Sequence, residues 1–289
     1  MSKIIDIIVK DIRFPTSLDN LGSDSVHVDC DYSAAYVEIF SDDKDLKGIG
    51  LTFTIGKGND LCVACIKHFK PLFLNKNITE IEKNINSLWR SCTNHSQLRW
   101  IGPEKGVIQL SVAALFNGFW DLISKYHRKP LWKYIVDLNT EDLLNKLSFT
   151  YIDDVITKDE AFNIIEGKKN NIQIATQSII KNGFPCYTTA AGWLGYSDEK
   201  MINLTKKYLS EGWTHFKMKV GQDIDRDIHR CKLVREIIGK DNLLMIDANQ
   251  AWSVKESIEN INKLKEFDLY FVEEPTKPDD ILGFKKIKI

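Results

Sequence analysis

A chain of 289 residues with 43% hydrophobic content can bury one large or two medium-sized cores. Lysine and arginine number 39 against 40 acids, a net charge of -1, which leaves neither a basic stripe for nucleic acid nor a basic face for a membrane surface. A small-molecule substrate is the partner expected by default.

The first sixty residues read as a small antiparallel sheet. Ile5, Ile7 and Val9 alternate, then Ala35, Val37 and Ile39, and a third strand is expected over 48–54. A polar, glycine-containing loop over 17–32 separates the first two strands. Ile81, Ile85, Leu88 and Trp89 then recur at helical spacing behind an Asn77/Glu80 capping box, and a largely apolar helix follows over 107–126. Of the six cysteines only Cys62 and Cys65 form a C-x-x-C pair; without a second pair or suitable histidine spacing, two thiols on one helix face is the better reading than zinc or redox chemistry. Scattered cysteines suit a reducing compartment. No apolar run is expected to reach the ~18 residues of a membrane-spanning helix, and Asp6 and Asp11 set the N-terminus apart from an acid-poor transit peptide. A cytoplasmic location is expected, with a mitochondrial one left open.

An α+β domain over 1–145 is expected to give way at 146 to strands alternating with amphipathic helices over 146–289, the pattern of parallel βαβ units. The expected order is a strand over 213–220, a helix to Ile238, a strand over 243–247, a helix capped by Ser253 with Glu256, and a strand over 269–273. In the first strand the two-residue period sends Lys217 and Lys219 to one face and Phe216, Met218 and Val220 to the other. Asp247 closes the second strand and Glu273 the third, at intervals of 28 and 26 residues, about one βα unit each. Singly, each acid is more often a helix cap or a salt-bridge partner. Together they put charged groups at successive strand ends, where barrel enzymes hold their active sites. Carboxylates converging there need a hard cation between them, and Mg²⁺ takes oxygen ligands of this kind. Desolvation and a neighbouring cation would lower a lysine's pKa toward neutrality and make it a usable base.

Lys217-Met218-Lys219, Asp247-Ala248-Asn249-Gln250 and Glu273-Glu274-Pro275 resemble the K-x-K, D-x-N-Q and E-E-P signatures of the mandelate racemase branch of the enolase superfamily, in order and spacing. Longer stretches are similar to L-fuconate dehydratase and its animal homologues: Arg13-Phe14-Pro15-Thr16-Ser17, Gly22-Ser23-Asp24, Asp31-Tyr32-Ser33-Ala34-Ala35-Tyr36, Gly102-Pro103-Glu104-Lys105-Gly106 and residues 187–196. The resemblance covers nearly the whole chain. It implies an N-terminal capping domain followed by a (β/α)₈ barrel, Mg²⁺ at Asp247 and Glu273, Lys219 as the base and Lys217 as an electrophilic partner. It also implies substrate contacts from Gly22, Ser23, Asp24, Tyr32, Lys217 and Asn249, although a polar loop of this kind is otherwise a plain turn. The implied reaction is dehydration of an acid sugar, L-fuconate to its 2-keto-3-deoxy acid, by a homo-oligomeric enzyme. Residues 192–195 carry no chemistry that can be assigned from sequence.

A complete barrel takes about 250 residues, whereas 144 follow residue 145. About half a barrel is therefore expected, with the third metal ligand at about position 299 and the family's His-Asp pair further on, and this chain alone is expected to be inactive. The alternatives are a racemase or cycloisomerase sharing the same lysines and acids, and a non-catalytic product that associates with a full-length enzyme through an open barrel edge.

Overall fold

The computed structural model describes residues 2–288, which divide into two compact units. The first comprises residues 2–14 and 32–183, the second residues 15–31 and 184–288.

In the first unit β1 (Ile4–Arg13), β2 (Ser33–Ser41) and β3 (Lys47–Thr54) form an antiparallel sheet in that order. On the central strand Ala35, Val37 and Ile39 are fully buried, as their alternation predicts. The expected alternation of β1 is corrected at its start: Ile4 is buried and Ile5 faces solvent, because a register shift between Ile4 and Asp6 adds a residue and resets the pleat. After α1 (Asn59–Phe69), the expected single helix is divided into α2 (Ile78–Lys83) and α3 (Ile85–Thr93) at Asn84, whose φ of -110° lies outside the helical region. Asn77 provides no side-chain cap there, so the predicted box is not closed. Helix α4 (Val107–Tyr126) lies directly on β3: a Cβ on Gly50 would sit 2.2 Å from the Ala114 carbonyl oxygen and 2.3 Å from the Gly118 nitrogen. At 20 residues α4 is long and apolar enough by composition to cross a membrane, which corrects the expectation from sequence; 61% of its most apolar window is packed inside the unit. Four further helices follow, α5 (Leu131–Asp137), α6 (Thr140–Lys146), α7 (Lys158–Lys169) and α8 (Ile172–Asn182).

The boundary expected at 145/146 falls inside this unit. Helix α7 packs on α6, with Thr140 Oγ1 donating to Glu166 Oε2 at 3.1 Å, and no strand is assigned between residues 147 and 187. What alternates with helices in sequence there is helical in the fold, with α7 started by the Thr157/Glu160 capping box.

The second unit is built on a parallel sheet, β4 (His215–Lys219), β5 (Leu243–Asp247) and β6 (Leu269–Glu273), in sequence order. Helices α9 (Asp198–Ser210), α10 (Ile224–Ile238), α11 (Val254–Leu264) and α12 (Ile281–Ile287) complete the βα alternation. The Ser253/Glu256 capping box starts α11 as predicted. Phe216, Met218, Val220, Leu244 and Ile246 meet Val234 and Leu264 in the core between sheet and helices. Ahead of β4 the chain forms only one parallel bridge, Thr188 with Phe216, in place of a further strand.

Candidate active site

The parallel register sets Lys219 beside Asp247 and Asp247 beside Glu273, so three strands deliver their last residues to one edge of the sheet. The period-two alternation holds: Phe216 and Met218 go to the helix-facing core, while Lys217 and Lys219 project from the opposite face, at 6% and 8% exposure. Two buried ammonium groups require partners, and the acids provide them. Lys219 Nζ donates to Asp247 Oδ2 at 2.7 Å and to Asn249 Oδ1 at 2.8 Å. Lys217 Nζ lies 2.5 Å from Glu273 Oε2, 3.3 Å from Asp247 Oδ2 and 3.0 Å from Tyr187 Oη. Asp247 is buried, whereas Glu273 is about one-third exposed and marks the open side.

Burial alone would pull the Lys217 ammonium down. Hydrogen bonds to Glu273 and Tyr187 and the charge of Asp247 outweigh burial and hold it above its ordinary value. The sequence-based expectation of a lowered lysine pKa is thereby corrected for Lys217 in the chain as described, because the carboxylates face it directly.

The turns after β5 and β6 hold the acids in place. Asn249, Gln250 and Glu274 all have positive φ (46°, 66° and 45°), an arrangement that costs on the order of 1 kcal/mol or more per residue. Three main-chain hydrogen bonds offset it: Asn249 N–H to Asp247 Oδ1, Ala248 N–H to the Glu273 carbonyl, and Gln250 N–H to the Glu274 carbonyl. Asp247, Glu273 and the Asn249 amide present oxygen donors of the kind a hard cation takes, and Mg²⁺ is commonly held by one or two carboxylates with water completing its shell. No group of three or more His, Cys, Asp or Glu side chains placed to hold a metal occurs among the described residues. Cys62 and Cys65 sit on α1 with Cys62 buried, consistent with the plain helix-face reading.

Several residues at the site were missed in sequence. Tyr187 bonds Lys217, and Gly192 and Trp193 lie along β4. Gly192 has a steric reason, since a Cβ there would fall 2.3 Å from the Lys217 carbonyl oxygen and 2.9 Å from Met218 Cα. Arg230, 1% exposed on α10, donates to the carbonyl oxygens of Lys219 (2.7 Å), Gly192 (3.1 Å) and Trp193 (2.8 Å). Asp227, one turn earlier, accepts from Gly221 N–H at 2.8 Å, and burial raises its carboxyl to about 6. The only available signal was the D-x-x-R spacing, which reads equally well as a surface helix pair.

The early loop is placed in parts. Ser23 Oγ accepts from Gly195 N–H at 2.9 Å, and a Cβ on Gly195 would collide with Asn20 and Ser23, so residues 192–195 have a packing role. Ser25 Oγ donates to the Ala248 carbonyl at 2.8 Å, next to Asp247. Gly22 takes φ of 84°, and buried Asp24 is bonded by the main-chain N–H groups of Val26 and His27. Tyr32 belongs to the first unit, where its ring meets Phe53 edge-on at 4.8 Å.

Comparison with known proteins gives a consistent family. Residues 200–289 match the family described as Enolase C-terminal domain-like. The crystal structure of human mitochondrial enolase superfamily member 1 is 44% identical with a TM-score of 0.96, covering 99% of this chain and 65% of that one. L-Galactonate dehydratase of Hypocrea jecorina is 45% identical over 285 residues, 96% of this chain and 62% of its own length. L-Talarate/galactarate dehydratase from Salmonella typhimurium LT2, a structure liganded with Mg and L-lyxarohydroxamate, shares the fold at 20% identity and a TM-score of 0.73. The chain thus spans less than two thirds of the length of the relatives it matches at high identity.

Proposed function

Because the chain belongs to the enolase superfamily, we propose that it carries the metal-binding and proton-abstracting part of a sugar-acid dehydratase, a hydro-lyase of carbohydrate catabolism acting on L-fuconate. The observation that carries this reading is the meeting of Lys217, Lys219, Asp247 and Glu273 at adjacent strand ends, with every ammonium within 3.3 Å of a carboxylate. Asp247 and Glu273 would hold Mg²⁺; when bound, it supplies a Lewis acid for the substrate carboxylate. Lys219, oriented by Asn249, takes the proton α to that carboxylate. Negative charge develops on the carboxylate oxygens, and the Lys217 ammonium, held in a largely water-excluded position, stabilises it. The Cβ–O bond then breaks, the departing hydroxide taking a proton from an acid that the remaining third of a full-length relative would supply, and the enol tautomerises to the 2-keto-3-deoxy acid.

Similarity to an L-galactonate dehydratase supports the acid-sugar class. L-Fuconate is 6-deoxy-L-galactonate, so the two have the same stereochemistry at the reacting carbons. The proposal extends to architecture: β4, β5 and β6 form part of a (β/α)₈ barrel, about half of it in this chain, behind a capping domain that is homo-oligomeric with it in the complete enzyme. Only two carboxylates converge among the described residues, so the 289-residue chain by itself is expected to eliminate no water. A cytoplasmic or a mitochondrial location is proposed, the mitochondrial one supported by the name of the human relative.

The test is 2-keto acid formation from L-fuconate, L-galactonate and other acid sugars with Mg²⁺, by the chain alone and grafted onto the remaining third of a full-length relative. The graft should dehydrate L-fuconate while the chain alone does not. Racemisation without dehydration by the graft, or normal turnover by the chain alone, would count against the reading.

A further inference from the structure

Residues 187–193 run along the free edge of β4 without forming a strand. Thr188 N–H donates to the His215 carbonyl and Lys217 N–H to the Thr188 carbonyl, both at 2.9 Å; further on, Lys219 N–H donates to the Gly192 carbonyl at 2.9 Å. The segment is therefore tied to β4 at the two lysine positions themselves. Gly192 permits the close approach, and Arg230 fastens the far end by bridging the Gly192, Trp193 and Lys219 carbonyls. A guanidinium so thoroughly buried is costly to maintain, and its direct hydrogen bonds are all spent on this junction.

An aromatic ring emerges at each end of the segment. Tyr187 lies under Lys217, with Nζ 4.6 Å from the ring centroid and 3.0 Å from the phenol oxygen, and Phe271 packs edge-on against the same ring. Trp193 lies under Lys219, with Nζ 5.6 Å from its ring centroid. The carboxylates come from β5 and β6, whereas the rings are carried by the segment on the other edge of β4, with Tyr187 reaching over the sheet to Phe271 on β6. Ring faces and a phenol oxygen hold an ammonium without adding a charge, so this support stays in place whatever else the carboxylates bind.

We infer that residues 187–193 are a positioning element for the lysine pair, with Tyr187 setting the Lys217 ammonium and Trp193 setting that of Lys219. The inference deepens the dehydratase reading by giving each working lysine its own support. The experiment that tests it measures position and not turnover, so an inactive chain leaves it standing.

The 289-residue chain is trace-labelled with acetic anhydride in metal-free buffer, and acetylation of Lys217 and Lys219 is resolved by fragment mass spectrometry. Tyr187→Phe keeps the ring and removes only the hydroxyl. It should raise the labelling rate of Lys217 about five-fold, the equivalent of one hydrogen bond, and leave Lys219 unchanged. Trp193→Leu should raise Lys219 roughly two- to five-fold and leave Lys217 unchanged, with Trp193→Phe intermediate. General loosening would raise both lysines together in every variant. That outcome, or no change in either lysine, overturns the inference.

Discussion

Alanine at Gly192 tests how much the fold depends on the segment beside β4. The new Cβ would lie 2.3 Å from the Lys217 carbonyl oxygen and 2.9 Å from Met218 Cα, both main-chain atoms that no rotamer change can move. Overpacking of this kind costs about 1–3 kcal/mol. If the segment lifts, the Lys219 to Gly192 and Gly192 to Thr189 hydrogen bonds are lost as well, at about 1 kcal/mol each. A loss of roughly 3–5 kcal/mol is expected, a large fraction of ordinary domain stability. Gly167, inside α7 with nothing within 4 Å of its Cβ position, is the control, and alanine there should stabilise by about 0.5–1 kcal/mol. Urea unfolding of both variants reads the difference. A Gly192→Ala chain within about 0.5 kcal/mol of the wild type would refute the close-approach argument.

Asp227 makes a pH prediction. Burial raises its folded-state carboxyl from 3.8 to about 6, so the folded chain keeps a proton that the unfolded chain has released. The stability this provides is complete below about pH 4 and is lost as pH rises through 6, on the order of 3 kcal/mol in all. Asp227→Asn, neutral and still an acceptor for Gly221 N–H, should be more stable than the wild type at about pH 7.5 and converge with it near pH 4; a pH-independent difference in urea midpoint would contradict this. The cysteines make another. Burial pushes the Cys92 and Cys231 thiols up to about 12, while Cys186 is exposed. A disulfide reagent near pH 8 should modify Cys186 first, with the buried thiols reacting only on unfolding; rapid modification of Cys62 and Cys65 together would show a redox pair instead.

The parallel strands were legible because local and tertiary demands coincide there. Lys217 and Lys219 must alternate with Phe216 and Met218 if one face of β4 is core, and the one-unit spacing to Asp247 and Glu273 follows from strand, helix and turn. What the sequence hid depends on contacts between distant residues. The break at Asn84 and the bulge at Ile4 are backbone adjustments that the same hydrophobic pattern permits. The helices over 147–183 carry mixed polarity that suits strand or helix, and the pattern alone does not decide between them. Gly192 and Arg230 look ordinary until the Lys217 carbonyl and the Lys219 carbonyl are placed beside them. Tyr187 stood within a motif whose partner, Lys217, lies 30 residues away.

The most direct test of the central claim is Mg²⁺ binding by titration calorimetry to the wild type, Asp247→Asn and Lys219→Ala. Saturable binding by the wild type and by Lys219→Ala, with loss in Asp247→Asn, is the predicted result: the acid holds the cation and the lysine serves the proton. Undiminished binding in Asp247→Asn, or equal loss in both variants, would contradict the division of roles.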